Sequence, residues 1–232
     1  MEKMVIITGI NKGLGQAFFN FFLQKKKTII IGITRNLNEE QLKIQNKFNN
    51  VIFVEKDLST LKNIDEEIKL QTYYSTEIKE IVFINNAASI NPIEAIGNLN
   101  EDAIFKAFQL NTIAPILLTN HIIKNNRSKL IRIFNISSGA ANKPIVGWGL
   151  YCSAKSANEM FFKTLELQEE TNNNIEVYNI DPGVMDTDMQ KNIRSKEKKI
   201  MPNVDQFKDY YHNKQLKSAK EVALDIINRC NI

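Results

Sequence analysis

Six short runs of branched and aromatic apolar residues punctuate this chain, and helix-patterned segments separate them. The runs are 4–8 (MVIIT), 28–33 (TIIIGI), 51–54 (VIFV), 81–84 (IVFI), 130–136 (LIRIFNI) and 175–180 (IEVYNI). Each is close to continuously apolar rather than alternating, the pattern of a strand buried on both faces. No tight hairpin joins any two of them. Connections of ten or more residues do, and crossovers of that length lay consecutive strands parallel. The order predicts one α/β domain of 232 residues, a doubly wound, Rossmann-type parallel sheet with helices on both faces.

The segments between the runs carry helix signals. Ala17, Phe18, Phe21 and Phe22 form an apolar stripe over residues 15–24. Ala154, Ala157, Phe161 and Leu165 do the same in YCSAKSANEMFFKTL. Asn98 stands three residues before Glu101, and Ser218 three before Glu221, each spaced as a capping box. Residues 189–215, around Pro202, hold no clean strand or sustained stripe and predict an irregular helical pair or a mobile substrate lid.

Charge and composition exclude several functions. Thirty basic residues against 26 acidic ones give a net charge of only +4, too mixed for a nucleic-acid footprint. Lys25, Lys26, Lys27 and the lysines at 196, 198 and 199 read as solvated surface. Two cysteines, Cys152 and Cys230, and two histidines argue against a disulfide framework or a metal site, and favour a reducing, cytoplasmic setting. The first apolar stretch is too short for a signal sequence or a membrane span.

The turn after the first run reads Thr8-Gly9-Ile10-Asn11-Lys12-Gly13-Leu14-Gly15. Glycines there let the backbone turn tightly, approach a pyrophosphate closely and aim the N–H groups of the next helix at its charge. An acidic residue near the end of the second strand would hold the 2′-hydroxyl of NAD, but this chain has Thr34-Arg35. Arg35 and Lys12 offer cations to a 2′-phosphate, so NADPH/NADP+ is the expected cofactor.

The spacing TGxxxGxG resembles the short-chain dehydrogenase/reductase family. The likeness runs over residues 4–190 and implies further cofactor contacts. Asp57 would hold the adenine with Leu58 beside it, and Asn86, Ala87 and Ala88 would back the ribose. Ala88 departs from the glycine usual there. Pro182, Gly183, Val184 and Thr187 would line the nicotinamide end, and Asp186 and Asp188 read as helix caps.

The same resemblance implies a catalytic set of Asn111, Ser138, Tyr151 and Lys155. The residues themselves support these roles. Tyr151 and Lys155 lie four apart and so share one helix face, where an ammonium would lower the phenol pKa and ready Tyr151 as a proton donor. Ser138 can stabilise a developing alkoxide, with Ser137 packing inward. Asn111 would hold a water that links Lys155 to solvent. A cofactor-sensing regulator that keeps the fold typically loses the tyrosine or the lysine, and both are present here. A dehydrogenase of another alcohol stays open as an alternative.

A narrower likeness lies in residues 147–152 (GWGLYC), 166–170 (ELQEE) and 186–190 (DTDMQ), which look like the sepiapterin reductases and related bacterial benzil reductases. It implies a flat 1,2-dicarbonyl substrate, held between Trp148 and Met185 and reached by Ser138 and Tyr151. Sepiapterin reductases use an acidic tail beyond the last helix to grip the pterin. The sequence stops at Ile232, so diketones are the expected preference over pterins. Family members usually pair through the helices beside the active-site element, which implies a homodimer or homotetramer.

Overall fold

All six apolar runs are strands, and a computed structural model describes residues 2–232. Along the chain come β1 (Lys3–Thr8), α1 (Gly13–Leu23), β2 (Thr28–Thr34), α2 (Glu39–Lys47), β3 (Val51–Glu55), α3 (Ile64–Glu67) and β4 (Glu80–Asn85). Then follow α4 (Glu101–Phe108), α5 (Ala114–Asn126), β5 (Leu130–Ile136), α6 (Gly149–Gln168), β6 (Ile175–Ile180), α7 (Asp188–Arg194), α8 (Val204–His212) and α9 (Ala219–Cys230). The strands form one sheet in the order β3-β2-β1-β4-β5-β6, and every pairing is parallel.

Alternate residues of each strand feed two separate cores. Met4 and Ile6 point to one face and pack with Leu118 and Ile122 of α5 and Phe162 and Leu165 of α6. Val5 and Ile7 point to the other, against Phe18 and Phe22 of α1 and Val222 and Ile226 of α9. Phe18 is fully buried, and its truncation to alanine would cost about 3–5 kcal/mol. A third, smaller core joins Ile90, Ile93, Trp148 and Tyr151 to Ile193 of α7 and to Val204 and Phe207 of α8.

The strand order reverses between β1 and β4, which opens a crevice beyond their carboxyl ends. Gly9 leaves β1 with φ +74°, and a Cβ on Gly15 would stand 2.2 Å from Gly9 O. Gly15 is therefore required by the packing of α1 on the turn.

Several local expectations are corrected. The cap of α4 is Asn100, whose side chain accepts from Ala103 N, so Asn98 and Glu101 form no box. The Ser218–Glu221 box at α9 is present, and an unforeseen one, Asn38 with Gln41, opens α2. Thr187 caps α7, which puts Asp188 in its first turn and leaves Asp186 outside the helix. The buried stripe of α6 runs through Ala154, Asn158, Phe162 and Leu165, while Ala157 is exposed. Residues 189–215 are the irregular helical pair, the rest of α7 with α8, and they pack on the third core.

Candidate active site

A cleft of about 1670 Å³ runs along the carboxyl ends of the strands. At one end lies the glycine turn. Asn11 shapes it: its Oδ1 accepts from Thr34 Oγ1 and from Gln41 Nε2 at 2.9 Å, and its Nδ2 donates to Asn36 O at 2.6 Å. Helix α1 starts at Gly13 with no side-chain cap and no acidic residue in its first turn. Its leading N–H groups, at Gly13 and Leu14 on the cleft wall, therefore suit an anionic diphosphate. The methyl of Thr187 would lie 3.6 Å from a Cβ at Gly13, so the start of α7 closes the slot from the opposite side.

Of the cofactor residues expected from sequence, Gly9, Asn11, Lys12, Arg35, Leu58 and Asn86 line the cleft with Gly13 and Leu14. So do Ala87, Ala88, Pro182, Gly183, Val184 and Thr187. Gly15 sits behind the wall. Asp57 is also outside it: its Oδ1 accepts from Ser59 N at 2.8 Å, and Lys56 and Leu58 form the wall there. Arg35 is exposed and makes no ion pair among the described residues. Lys12 is already paired, 3.0 Å from Asp188 Oδ2.

The segment after β4 is tied to β1. Thr8 Oγ1 accepts from Asn86 N and Ala87 N at 3.0 and 2.9 Å, and Asn86 Nδ2 donates to Thr8 O at 2.9 Å. Beside it an asparagine ladder crosses the strand ends. Asn85 Nδ2 donates to Asn135 Oδ1 at 2.8 Å, and Asn135 Nδ2 to Asn179 Oδ1 at 2.9 Å, each pair in register. The sequence hid this ladder because its members lie 50 and 44 residues apart.

Midway along the cleft, Ser138 follows β5, and Tyr151 and Lys155 project from one face of α6. Lys155 Nζ lies 6.0 Å from the Tyr151 ring centroid and donates to Ile136 O at 2.7 Å. Burial pushes the Tyr151 phenol up to about 12, although the Ser138 hydroxyl pulls it down. Burial pulls Lys155 down to about 8, against Glu159 and Asp181, which raise it. The expected lowering of Tyr151 by Lys155 is thus reversed: desolvation dominates, and Tyr151 rests as a protonated phenol.

Asn111 sits in a π-helical turn, Gln109–Ile113, between α4 and α5. Its Oδ1 accepts from Ser89 N at 3.0 Å, and its Nδ2 donates to Ser89 O and Ala107 O at 2.9 and 3.0 Å. Both amide hydrogens are taken by main chain, so the side chain braces the segment after β4, and it does not line the cleft. Thr112 next to it donates to Ala154 O of α6 at 2.9 Å.

The far end of the cleft is aromatic. Trp148 stands edge-on to Tyr151, centroids 5.9 Å apart, and tilted on Phe207 at 5.4 Å. Met185 also lines the cleft but packs into the α9 core and bridges Lys217 through its backbone. Trp148 and Met185 thus line the same cleft from different cores. Phe207 and Tyr210 were not anticipated as site residues, although their spacing of three in α8 marks one helix face.

A six-stranded parallel sheet with a glycine turn and a Ser, Tyr and Lys convergence defines a dinucleotide-binding oxidoreductase architecture. The chain belongs to the short chain dehydrogenase family, whose model matches residues 3–198. It is 32% identical to benzil reductase ((S)-benzoin forming) of Bacillus cereus, over 97% of this chain and 93% of that protein. It is 27% identical to sepiapterin reductase of Xenopus laevis, over 81% of this chain and 75% of the relative. Among solved structures, the KRED1-Pglu enzyme superposes with a TM-score of 0.80 at 26% identity, covering 95% of this chain and 91% of the other. The structure of 4-hydroxyisoleucine dehydrogenase complexed with NADH gives 0.71 at 26% identity, covering 84% and 79%. Among the described residues, no helix is long and apolar enough to cross a membrane and no cluster of His, Cys, Asp and Glu is arranged to hold a metal ion.

Proposed function

We propose that this oxidoreductase is an NADPH-dependent carbonyl reductase whose preferred substrates are flat 1,2-dicarbonyl compounds. The observation that carries the reading is the meeting of Ser138, Tyr151 and Lys155 in a cleft that has an uncapped helix start at one end and an aromatic wall at the other. The similarity to a benzil reductase over nearly the whole chain supports the substrate class.

In this reading the uncapped start of α1 receives the diphosphate, and Arg35 and Lys12 hold the 2′-phosphate. The bound nicotinamide supplies the hydride. The Ser138 hydroxyl donates to the substrate carbonyl oxygen, and Tyr151 transfers its proton to that oxygen as negative charge grows there. A phenol held at about 12 keeps its proton at neutral pH until an alkoxide, far more basic, demands it. Lys155 gives a positive charge beneath the ring and a donor for the cofactor ribose. The wall of Trp148, Phe207 and Tyr210 takes a flat substituent, and α7 and α8 act as the lid. An adjacent second carbonyl makes the first a better hydride acceptor.

The test compares kcat/KM for benzil, 1-phenyl-1,2-propanedione, sepiapterin and a simple cyclic ketone, with NADPH and NADH in parallel. Aromatic diketones with NADPH should lead. A faster simple ketone would remove the substrate class, and an NADH preference would remove the cofactor assignment.

A further inference from the structure

Glu159 is a buried carboxylate that the chemistry above leaves unused. It lies on α6 one turn beyond Lys155 and two beyond Tyr151, with only 8% of its surface exposed. Burying a carboxylate is costly unless hydrogen bonds and a counter-charge compensate. Here Ser137 Oγ donates to Oε2, Asn142 Nδ2 donates to Oε1 at 3.3 Å, and Lys163 Nζ pairs with Oε1 at 2.7 Å. Those bonds outweigh burial and hold the carboxyl below its ordinary range, so it is ionised at neutral pH.

Ser137 and Asn142 flank Ser138. Ser138 opens the short turn Gly139–Ala141, and Asn142 closes it. One carboxylate on α6 therefore grips both ends of the segment that presents Ser138. Lys155 Nζ to Ile136 O and Ser156 Oγ to Ala141 O, at 2.7 and 2.6 Å, fasten the same two elements.

We propose that Glu159 is a positioning residue: through Ser137 and Asn142 it fixes the Ser138 hydroxyl relative to Tyr151, and its charge faces the buried Lys155. The inference rests on the carbonyl-reductase reading. The charged groups around this pair are Lys163 on the same helix and Asp181 at the end of β6, with the Tyr151 phenol alongside.

The experiment measures kcat, KM, cofactor Kd, pH profile and Tm on the full chain with NADPH and 1-phenyl-1,2-propanedione. Glu159→Gln should lower kcat by about ten-fold or more while KM and Kd stay within roughly two-fold, because a small displacement of an aligned group acts on turnover. The alkaline limb of its kcat profile should move to lower pH, since Lys155 loses a facing negative charge. Glu159→Asp should recover part of the rate. Ser137→Ala should also be slow, and the Ser137→Ala, Glu159→Gln double variant little slower than either single. Lys163→Ala removes the half-exposed counter-charge but leaves the bonds to Ser137 and Asn142, so it should lower kcat less than Glu159→Gln does.

A Glu159→Gln enzyme with wild-type kcat and an unmoved pH profile overturns the proposal, as do losses that multiply in the double variant. Should Glu159→Gln not fold, Ser137→Ala decides, because it keeps the carboxylate and its Lys163 pair; unchanged kcat there is again fatal. A wild type that reduces no carbonyl overturns the parent reading and this one with it. An active wild type with an indifferent Glu159→Gln removes this one alone.

Discussion

Lys12 Nζ stands 3.0 Å from Asp188 Oδ2, an ion pair that joins the glycine turn to the first turn of α7 across the cleft. Lys12 is one of the two cations assigned to the proposed 2′-phosphate, so in that reading Asp188 would compete with the phosphate for it. Both side chains are more than half exposed, which limits the effect. Asp188→Asn should tighten NADPH by no more than about five-fold and leave NADH nearly unchanged. Fluorescence titration at low and high salt checks this. Weaker NADPH binding in the variant would show that Asp188 supports the slot and does not compete.

Arg35 should carry the larger share of the same proposed discrimination, because it is exposed on the cleft wall and no carboxylate among the described residues engages it. A charge-assisted bond of about 1.5–3 kcal/mol converts to ten-fold or more in affinity. Arg35→Ala should cost NADPH that much and NADH little. Equal losses for both cofactors would place Arg35 outside the 2′-phosphate site.

How far the sequence reveals this molecule depends on the range of the signal. Strands and their order are local: each apolar run marks its own boundaries, and the long connections fix parallel pairing. The glycine turn and the Tyr151 and Lys155 spacing are local too. What stayed hidden is set by contacts between distant segments. Asn111 is spent on Ser89, and Lys12 is taken by Asp188, 176 residues away; Asp57 is the local exception, turned to cap its own loop at Ser59. The reversal at Tyr151 has the same origin, since spacing places Lys155 on its face but says nothing of how deeply both are buried. Trp148 is visible as an aromatic three residues before Tyr151, whereas its partner Phe207 comes from a segment with no sustained apolar stripe.

Tyr151→Phe keeps the ring against Trp148 and removes only the transferable proton. Turnover should fall by roughly 10²–10⁴-fold with cofactor Kd unchanged. In the wild type, kcat should decline as pH rises through about 8, where Lys155 loses its proton, and not near 10, because Tyr151 is held at about 12. Stopped-flow turnover from about pH 6 to about pH 11 reads the decline near 8 and its absence near 10. A single decline near pH 10 would return an ordinary phenol to the site.

Lys155 also makes stability depend on pH in a direction that can be worked out. Its pKa falls from 10.5 unfolded to about 8 folded, so between those values the unfolded chain binds the extra proton and stability rises with pH. The cost of burying the ammonium is fully present below about 8 and is relieved as pH climbs to about 10.5, a change on the order of 3 kcal/mol. Lys155→Met removes that dependence. It also removes the bond to Ile136 O, whose hold on the charged form is already contained in the folded pKa of about 8, so the loss offsets the difference without reversing its direction. The raised pKa of Tyr151 acts in the opposite sense, with stability lost between about 10 and 12, and it is common to both proteins, so it cancels from their difference. The Tm of Lys155→Met minus that of the wild type should therefore shrink from pH 7 to pH 10 by several degrees, at about 2–4 °C per kcal/mol for a chain of this size. Thermal melts followed by circular dichroism give the number. A difference that is flat, or that grows with pH, would mean that Lys155 is not held below its ordinary pKa in the folded protein.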